Sequence, residues 1–174
     1  MTGRSPQAAA PTQLPTTVAS DIGERLSSAI LVYGTMTDAG SNRYAAEELQ
    51  KHFLRRLESA VPIRKDFEVS DEELRTRDVI FVGRSESNSA LAAWRDKIGL
   101  DSSGGLFRMA GQDHASETEG LVFSAANPLD RRHMVLVLAG NSALETVLLT
   151  KSGFEDTQYS IWDSGRQMAS GFLK

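Results

Sequence analysis

The sequence predicts a single α/β domain built on a mostly parallel sheet with helices on both of its faces. Three short apolar runs predict buried parallel strands, because each is rich in β-branched residues and is closed by a glycine. These runs are Ala29–Tyr33, Asp78–Val82 and Met134–Ala139. A polar loop and then a helical pattern follow each run, which is the alternation expected of parallel strands and crossover helices.

Capping residues predict where the helices begin and end. Ser41 is the predicted N-cap of the helix that follows the first strand. Ser70 and Ser142 are each followed three residues later by a glutamate, a capping-box pattern that predicts two further helix starts. A helix is also predicted over Asn88–Ile98, with Gly99 ending it.

Four other segments predict strands beside this parallel centre. Ile63–Val69 is expected to pair with the first strand, and Leu121–Ala125 is strand-like within a predicted meander. Thr157–Trp162 and Gln167–Phe172 flank a turn and predict a hairpin. Together these elements predict a three-layer Rossmann-like or flavodoxin-like α/β fold with added β-hairpins.

Residues 1–26 are predicted to be a linker or disordered tail, and residues 27–174 the single α/β domain. The first 17 residues are rich in Ala, Pro, Thr, Gln and Ser, and Leu14 is their only bulky apolar side chain. Such a segment buries too little apolar surface to offset the entropy lost on ordering. We therefore expect the chain to be a domain of a larger protein.

Composition argues against several classes of function. The formal net charge is -4, whereas nucleic-acid binding depends on Lys and Arg that neutralise phosphates. The absence of cysteine excludes disulfides, thiolate nucleophiles and cysteine-ligated metal sites. No apolar run reaches the roughly 18 residues of a membrane span. We therefore predict neither a nucleic-acid partner nor membrane insertion.

The common catalytic and cofactor motifs are missing. The sequence has no His-Glu-x-x-His pair, no Gly-x-Ser-x-Gly elbow and no Gly-x-x-x-x-Gly-Lys-Ser/Thr phosphate loop. Gly34 and Gly40 after the first strand do not form the Gly-x-Gly-x-x-Gly pattern of a dinucleotide site. His52, His114 and His133 are interpreted as solvated or structural. We predict no catalytic residue, no metal ligand and no cofactor.

One ligand site is predicted, at the carboxyl ends of the parallel strands. Open α/β sheets bind ligands at this edge, where the strand order reverses and helix amino termini converge. The loops there carry polar and cationic side chains, namely Thr35, Asn42, Arg43, Arg84, Asn88 and Asn141. An anion is the expected ligand class, with Arg43 and Arg84 supplying positive charge. The alternative is that Ser and Asn cap helices there and the arginines are solvated.

Several stretches taken together resemble a known family of accessory domains. They are Ile30–Thr35 followed by Asn42–Arg43, Val61–Ile63 leading to Ser70–Leu74, Val79–Gly83 with Glu86 and Asn88, and Ala126–Leu129 leading into Val135–Gly140. Over roughly Ala29 to Phe172 the chain resembles the carboxyl-terminal α/β accessory domain of large exported bacterial peptidases. It looks most like that of gluzincin-type zinc aminopeptidases, and related-looking domains accompany α/β-hydrolase peptidases and esterases.

The resemblance implies an attachment role beside a catalytic domain of the same polypeptide or complex, and a periplasmic or secreted location. It carries no catalytic residue to this chain, because the metal-binding helix and the nucleophile elbow are both missing. We therefore expect a non-catalytic accessory domain that helps a peptidase-type hydrolase to fold, dock or be positioned. Two alternatives stay open: a small-ligand binding module that uses the strand-end crevice, and a small enzyme with an unrecognised site.

Overall fold

The computed structural model describes residues 16–56 and 60–174, which form an α/β fold. The strands are β1 (Ala29–Tyr33), β2 (Ile63–Lys65), β3 (Asp78–Val82), β4 (Asp101–Ser103), β5 (Leu106–Met109), β6 (Gln112–His114), β7 (Glu119–Ala126), β8 (Met134–Gly140), β9 (Tyr159–Asp163) and β10 (Arg166–Gly171). The α-helices are α1 (Ala39–Leu54), α2 (Asp71–Thr76), α3 (Ser89–Ile98) and α4 (Ala143–Leu149). Two short 3-10 helices, Ala19–Glu24 and Leu26–Ser28, precede β1.

The main sheet has seven strands in the order β10-β9-β7-β8-β3-β1-β2, and β4, β5 and β6 form a separate three-stranded sheet. Strands β2, β1, β3 and β8 are parallel, whereas β7, β9 and β10 add antiparallel pairings at one side. The sheet is therefore mixed, with a parallel part of four strands and antiparallel strands added at one side. The reason is that residues 127–133 alone join β7 to β8, and a parallel crossover needs about a dozen residues or more.

The three predicted central strands are confirmed, and every residue of β1, β3 and β8 is buried. The predicted helix signals also hold at Ser70, Asn88 and Ser142, whose side chains each accept a hydrogen bond from a backbone N–H of the first turn. Gly99 ends α3 in the left-handed conformation. These local predictions succeed because the capping contacts lie within three residues of one another in the chain.

The start of α1 differs from the prediction. The helix begins at Ala39 with Asp38 as its N-cap residue, so Ser41 lies inside the first turn. The Asn42 N–H donates to the Asp38 carbonyl at 2.9 Å and closes that turn. The predicted strand over Ile63–Val69 is also shorter, because a turn follows Lys65 and the Glu68 N–H donates to the Lys65 carbonyl.

Two hydrophobic clusters form the core. One contains apolar side chains of α1 and α4 packed on Leu31, Ile80 and Leu136 of the sheet. The other contains side chains of α2, α3 and β5 packed on Ile30 and Phe81. Adjacent strand residues such as Ile30 and Leu31 belong to different clusters, since successive side chains of a strand point to opposite faces. The sheet is thus covered on both faces.

The predicted tail over residues 1–26 is wrong at its carboxyl end. Ala19, Ile22 and Leu26 are buried in the first of these clusters. The Ala19 N–H also donates to the Thr157 carbonyl at 3.0 Å, which ties this segment to the approach to β9. The domain thus extends amino-terminally of the predicted boundary, because three spaced apolar side chains suffice to dock a short helix. Residues 1–15 of the predicted tail lie outside the described residues.

Within the described residues, no helix has the length and apolar character needed to cross a membrane.

Candidate functional site

The predicted ligand site lies where the strand order reverses. The chain runs from β1 outward to β2 and then back across to β3, so β1 and β3 are neighbours whose following loops meet at the carboxyl edge of the sheet. This is the topological position at which open α/β sheets bind ligands. The polar side chains predicted for this edge are all within the described residues, and each has an identifiable position.

Asn42 ties these two loops together. Its side chain is 1% exposed, and its Nδ2 group lies 3.0 Å from the Gly34 carbonyl and 2.5 Å from Ser87 Oγ. A third acceptor, the Thr37 carbonyl, is 3.2 Å away. Because a buried amide must be satisfied internally, these contacts fix the start of α1 against the loop after β3.

The side chain of Asn88 forms hydrogen bonds with both β1 and β3. Its side-chain oxygen accepts a hydrogen bond from the Leu91 N–H at 3.0 Å and thereby caps α3. Its Nδ2 group donates to the Val32 carbonyl at 3.0 Å and is 3.3 Å from the Val82 carbonyl. The side chain is therefore engaged at both ends by structural contacts.

The two loops approach each other so closely that glycine is required. A Cβ atom at Gly34 would lie 2.6 Å from the backbone and the hydroxyl of Ser87. A Cβ atom at Gly83 would lie 2.9 Å from Asn42 Nδ2, and Gly83 has a φ of +100°. The protein's own side chains thus fill the space between the loops after β1 and β3.

Asp66, which the sequence interpretation missed, completes this edge. Its carboxylate accepts hydrogen bonds from Thr35 Oγ1 at 2.6 Å and from the Ser89 N–H and hydroxyl at 2.8 and 3.0 Å. Burial acts to raise the pKa of Asp66, but the hydrogen bonds from Thr35 and Ser89 outweigh it and hold the pKa below its ordinary value. A single carboxylate thus links the loops after β1 and β2 to the start of α3.

The two arginines predicted to add charge lie in separate surroundings. Arg43 is exposed on α1 and pairs with Glu47 at 2.9 Å. Arg84 donates a hydrogen bond to the Asn141 carbonyl at 2.8 Å. It also lines a small apolar recess beside the three-stranded sheet. Asn141 in turn donates to the carbonyls of residues 114 and 116. The six predicted residues therefore do not line one common cavity in the described part of the chain, and a ligand at this edge stays a prediction.

A larger cleft lies at the opposite end of the sheet, near the amino ends of β1, β3 and β8. It has a volume of about 420 Å³. The charged and titratable side chains that line it are Asp21, Arg25, Lys97, Arg131 and His133. We call it the amino-end cleft. The sequence interpretation missed it, because Arg25 fell in the predicted tail and His133 was interpreted as solvated or structural.

Asp78 organises the wall of the amino-end cleft. Its side chain is buried and accepts hydrogen bonds from the Met134 N–H at 2.7 Å and from the Ser28 hydroxyl. Arg25 Nη1 lies 3.5 Å from Asp78 Oδ1 and donates to the Arg132 carbonyl at 2.9 Å. His133 Nδ1 lies 3.5 Å from Asp78 Oδ2. One buried carboxylate therefore faces both a guanidinium and an imidazole of this cleft. The available sequence signal was a charged residue at the start of an otherwise apolar strand.

The other two histidines are explained by packing and surface position. His114 stacks on Phe107 with ring centroids 4.9 Å apart, and its Nδ1 atom is 2.9 Å from Glu119 Oε1. His52 lies on the exposed side of α1, and its ring forms a T-shaped pair with the ring of Phe53 at a centroid distance of 5.9 Å. Across residues 16–56 and 60–174, no three His, Asp or Glu side chains are grouped as ligands for a metal ion.

No family model matches the sequence. No curated protein matches it significantly.

Proposed function

We propose that this chain is a non-catalytic accessory domain that docks onto the catalytic domain of a larger peptidase-type hydrolase. The observation that carries the proposal is the packing of the strand-end edge. Asn42, Asn88 and Asp66, the polar groups at the position where an open α/β sheet binds its ligand, are buried and bonded to the protein itself. Side chains engaged in this way stabilise a scaffold. The resemblance over Ala29–Phe172 supplies the class of partner.

The proposed docking face is the outer edge of β10 and the residues after it. Among the described residues, β10 ends the main sheet and pairs with β9 alone, so the backbone groups along its outer side are open to another strand. Met168 and Phe172 are 64% and 51% exposed, and Leu173 is also exposed. An edge strand with exposed apolar side chains suits a partner that adds backbone hydrogen bonds and covers apolar surface.

We also propose that the core of the domain is a three-layer Rossmann-like arrangement. A three-layer Rossmann-like arrangement is supported by the two hydrophobic clusters, one formed with α1 and α4 and the other with α2 and α3. The parallel part of the sheet, in the order β2-β1-β3-β8, has the strand reversal of a flavodoxin-like core. In this proposal the core is a rigid platform that presents the β9–β10 hairpin.

The reading frame of the gene tests the proposed attachment. We expect the frame that encodes this chain to encode, in the same polypeptide, a peptidase domain with a metal-binding helix or a nucleophile elbow. A complete frame that encodes no second domain would contradict attachment within one polypeptide.

Binding of that catalytic domain by the chain should weaken at least tenfold in M168S/F172S. The control M36S/Y44S, which removes two exposed apolar side chains elsewhere, should bind normally.

Enzyme assays test the non-catalytic part of the proposal. The purified chain should not hydrolyse aminoacyl or acyl-ester reporter substrates, with or without added zinc, since an activated water or nucleophile is needed for either reaction. Turnover that follows the protein through purification and disappears in Ser85→Ala or His114→Ala would show that the chain is an enzyme.

A further inference from the structure

We propose that the amino-end cleft binds a small oxyanion, a carboxylate or phosphate group, between Lys97 and Arg131. Three permanent cations and one carboxylate line this cleft, although the chain as a whole carries a formal charge of -4. Positive charge is thus concentrated here against the overall balance of the protein. Its volume of about 420 Å³ lies within the ~300–1,000 Å³ typical of ligand sites.

Lys97 and Arg131 are the free cations of the site. Both are exposed, and neither forms an ion pair or a side-chain hydrogen bond with the described residues. They also line a neighbouring groove that continues along Asn127 and Pro128, so they stand between two connected depressions. A cation without a carboxylate partner keeps its charge available for an incoming anion.

Arg25 and His133 form the ordered wall of the site. Arg25 is held between the Asp78 carboxylate and the Arg132 carbonyl, so its guanidinium is positioned before any ligand arrives. His133 faces Asp78 through Nδ1, which lies 3.5 Å from Asp78 Oδ2 and has no hydrogen-bond partner among the described residues. Groups that are fixed in advance lose little conformational entropy on binding, which favours affinity.

The acidic groups of the cleft limit the ligand to one side. Asp21 lines the cleft, and its Oδ2 atom accepts a hydrogen bond from the Val18 N–H at 3.2 Å. Asp78 is buried behind Arg25 and His133, which shield it from the open volume. An anion is therefore expected to contact the Lys97 and Arg131 side, away from Asp21.

An NMR titration of the full chain tests this site. Inorganic phosphate and acetate are each added at low ionic strength while backbone amide shifts are followed, and the two probes distinguish a phosphate site from a carboxylate site. We expect saturable shifts at residues 97–100 and 131–134 with at least one probe. The K97Q/R131Q variant should bind that probe at least tenfold more weakly. The control K151Q/R166Q removes the same charge from exposed positions outside the cleft and should bind normally.

Three results would overturn the proposal. The first is that neither probe produces saturable shifts in the cleft. The second is that K97Q/R131Q binds as tightly as the wild type while its amide spectrum stays dispersed and native. The third is that R43Q/R84Q, which alters the carboxyl edge of the sheet, is the variant that loses binding. Loss of binding in K97Q/R131Q alone, with a native spectrum, supports the site.

Discussion

The side chain of Asn42 in the first turn of α1 donates a hydrogen bond of 2.5 Å to the Ser87 hydroxyl in the loop after β3. The Ser87 hydroxyl in turn donates a hydrogen bond to the Thr37 carbonyl in the loop after β1, at 2.7 Å. Residues far apart in the chain are thereby locked at the point where the sheet reverses its strand order. At this reversal, where related architectures leave a crevice, this protein has a buried polar junction.

Replacing Asn42 tests the junction. Asn42→Ala leaves the Gly34 carbonyl and the Ser87 hydroxyl without their buried partner, so the free energy of unfolding should fall by about 2–3 kcal/mol. Urea denaturation measures the change. The neighbouring exposed variant Arg43→Ala should change stability by less than about 0.5 kcal/mol. Equal effects of the two variants would show that the junction contributes no special stability.

Gly34 tests how tightly the two loops are packed. Gly34→Ala places a methyl group 2.6 Å from the Ser87 backbone, which cannot yield as a flexible side chain does. We expect a loss of about 1–3 kcal/mol in the free energy of unfolding. Gly40→Ala in the first turn of α1 is the matched control, because its Cβ atom meets nothing within 4 Å. That control should be neutral or stabilising by up to about 1 kcal/mol. A tolerated Gly34→Ala would mean that the loops can separate.

Asp66 predicts a dependence of stability on pH. Its pKa is lowered in the folded protein, so its contribution is present above the unfolded value of about 3.9 and is lost as the pH falls through the lower folded pKa. The stability difference between wild type and Asp66→Asn should therefore be constant near neutral pH and shrink below about pH 4. Denaturation at several pH values measures this difference.

Thr35→Val identifies the source of that effect. It removes the 2.6 Å hydrogen bond to Asp66 and should reduce the pH-dependent part of the stability without abolishing it, since Ser89 still donates to the other carboxylate oxygen. A stability difference between wild type and Asp66→Asn that grows as the pH falls would contradict the assigned direction of the pKa shift.

Local sequence patterns were sufficient for the central strands and most helix boundaries. β1, β3 and β8 are continuous apolar runs, and Ser70, Asn88 and Ser142 cap helices through contacts within three residues. The position of β7 was harder to predict, because an antiparallel strand inserted beside β8 depends on a short connection rather than on its own composition.

The candidate sites depend on contacts between residues distant in the chain. Asp78 is the first residue of an apolar strand, and nothing local indicates that Arg25 and His133 converge on it. Arg43 and Arg84 were grouped because they follow neighbouring strands, but the side chains engage different partners. The sequence was sufficient to predict that these loops lie at the carboxyl edge of the sheet. It was not sufficient to predict which side chains contact one another, because the direction of each side chain is set by packing.

Glu145 at the start of α4 carries an unusual buried carboxyl group. The residue is 2% exposed, and its Oε1 atom has no hydrogen-bond partner among the described residues. Burial raises the pKa of Glu145; the backbone N–H of Gly165 opposes this shift, and the nearby Asp163 carboxylate adds to it. A carboxyl whose folded pKa exceeds its unfolded value favours folding in acid, and that contribution disappears as the pH rises through the folded pKa.

Glu145→Gln should therefore stabilise the protein at neutral pH. The amide is neutral, so folding no longer buries a charge, and the free energy of unfolding at pH 7 should rise by about 1 kcal/mol. Below about pH 4, where the wild-type carboxyl is protonated in both states, the advantage should vanish. Glu117→Gln, which removes an exposed carboxylate, should change stability by less than about 0.5 kcal/mol at pH 7. A destabilised Glu145→Gln at pH 7 would mean that the folded protein needs the ionised carboxylate, which is the opposite of what burial of an unpartnered oxygen requires.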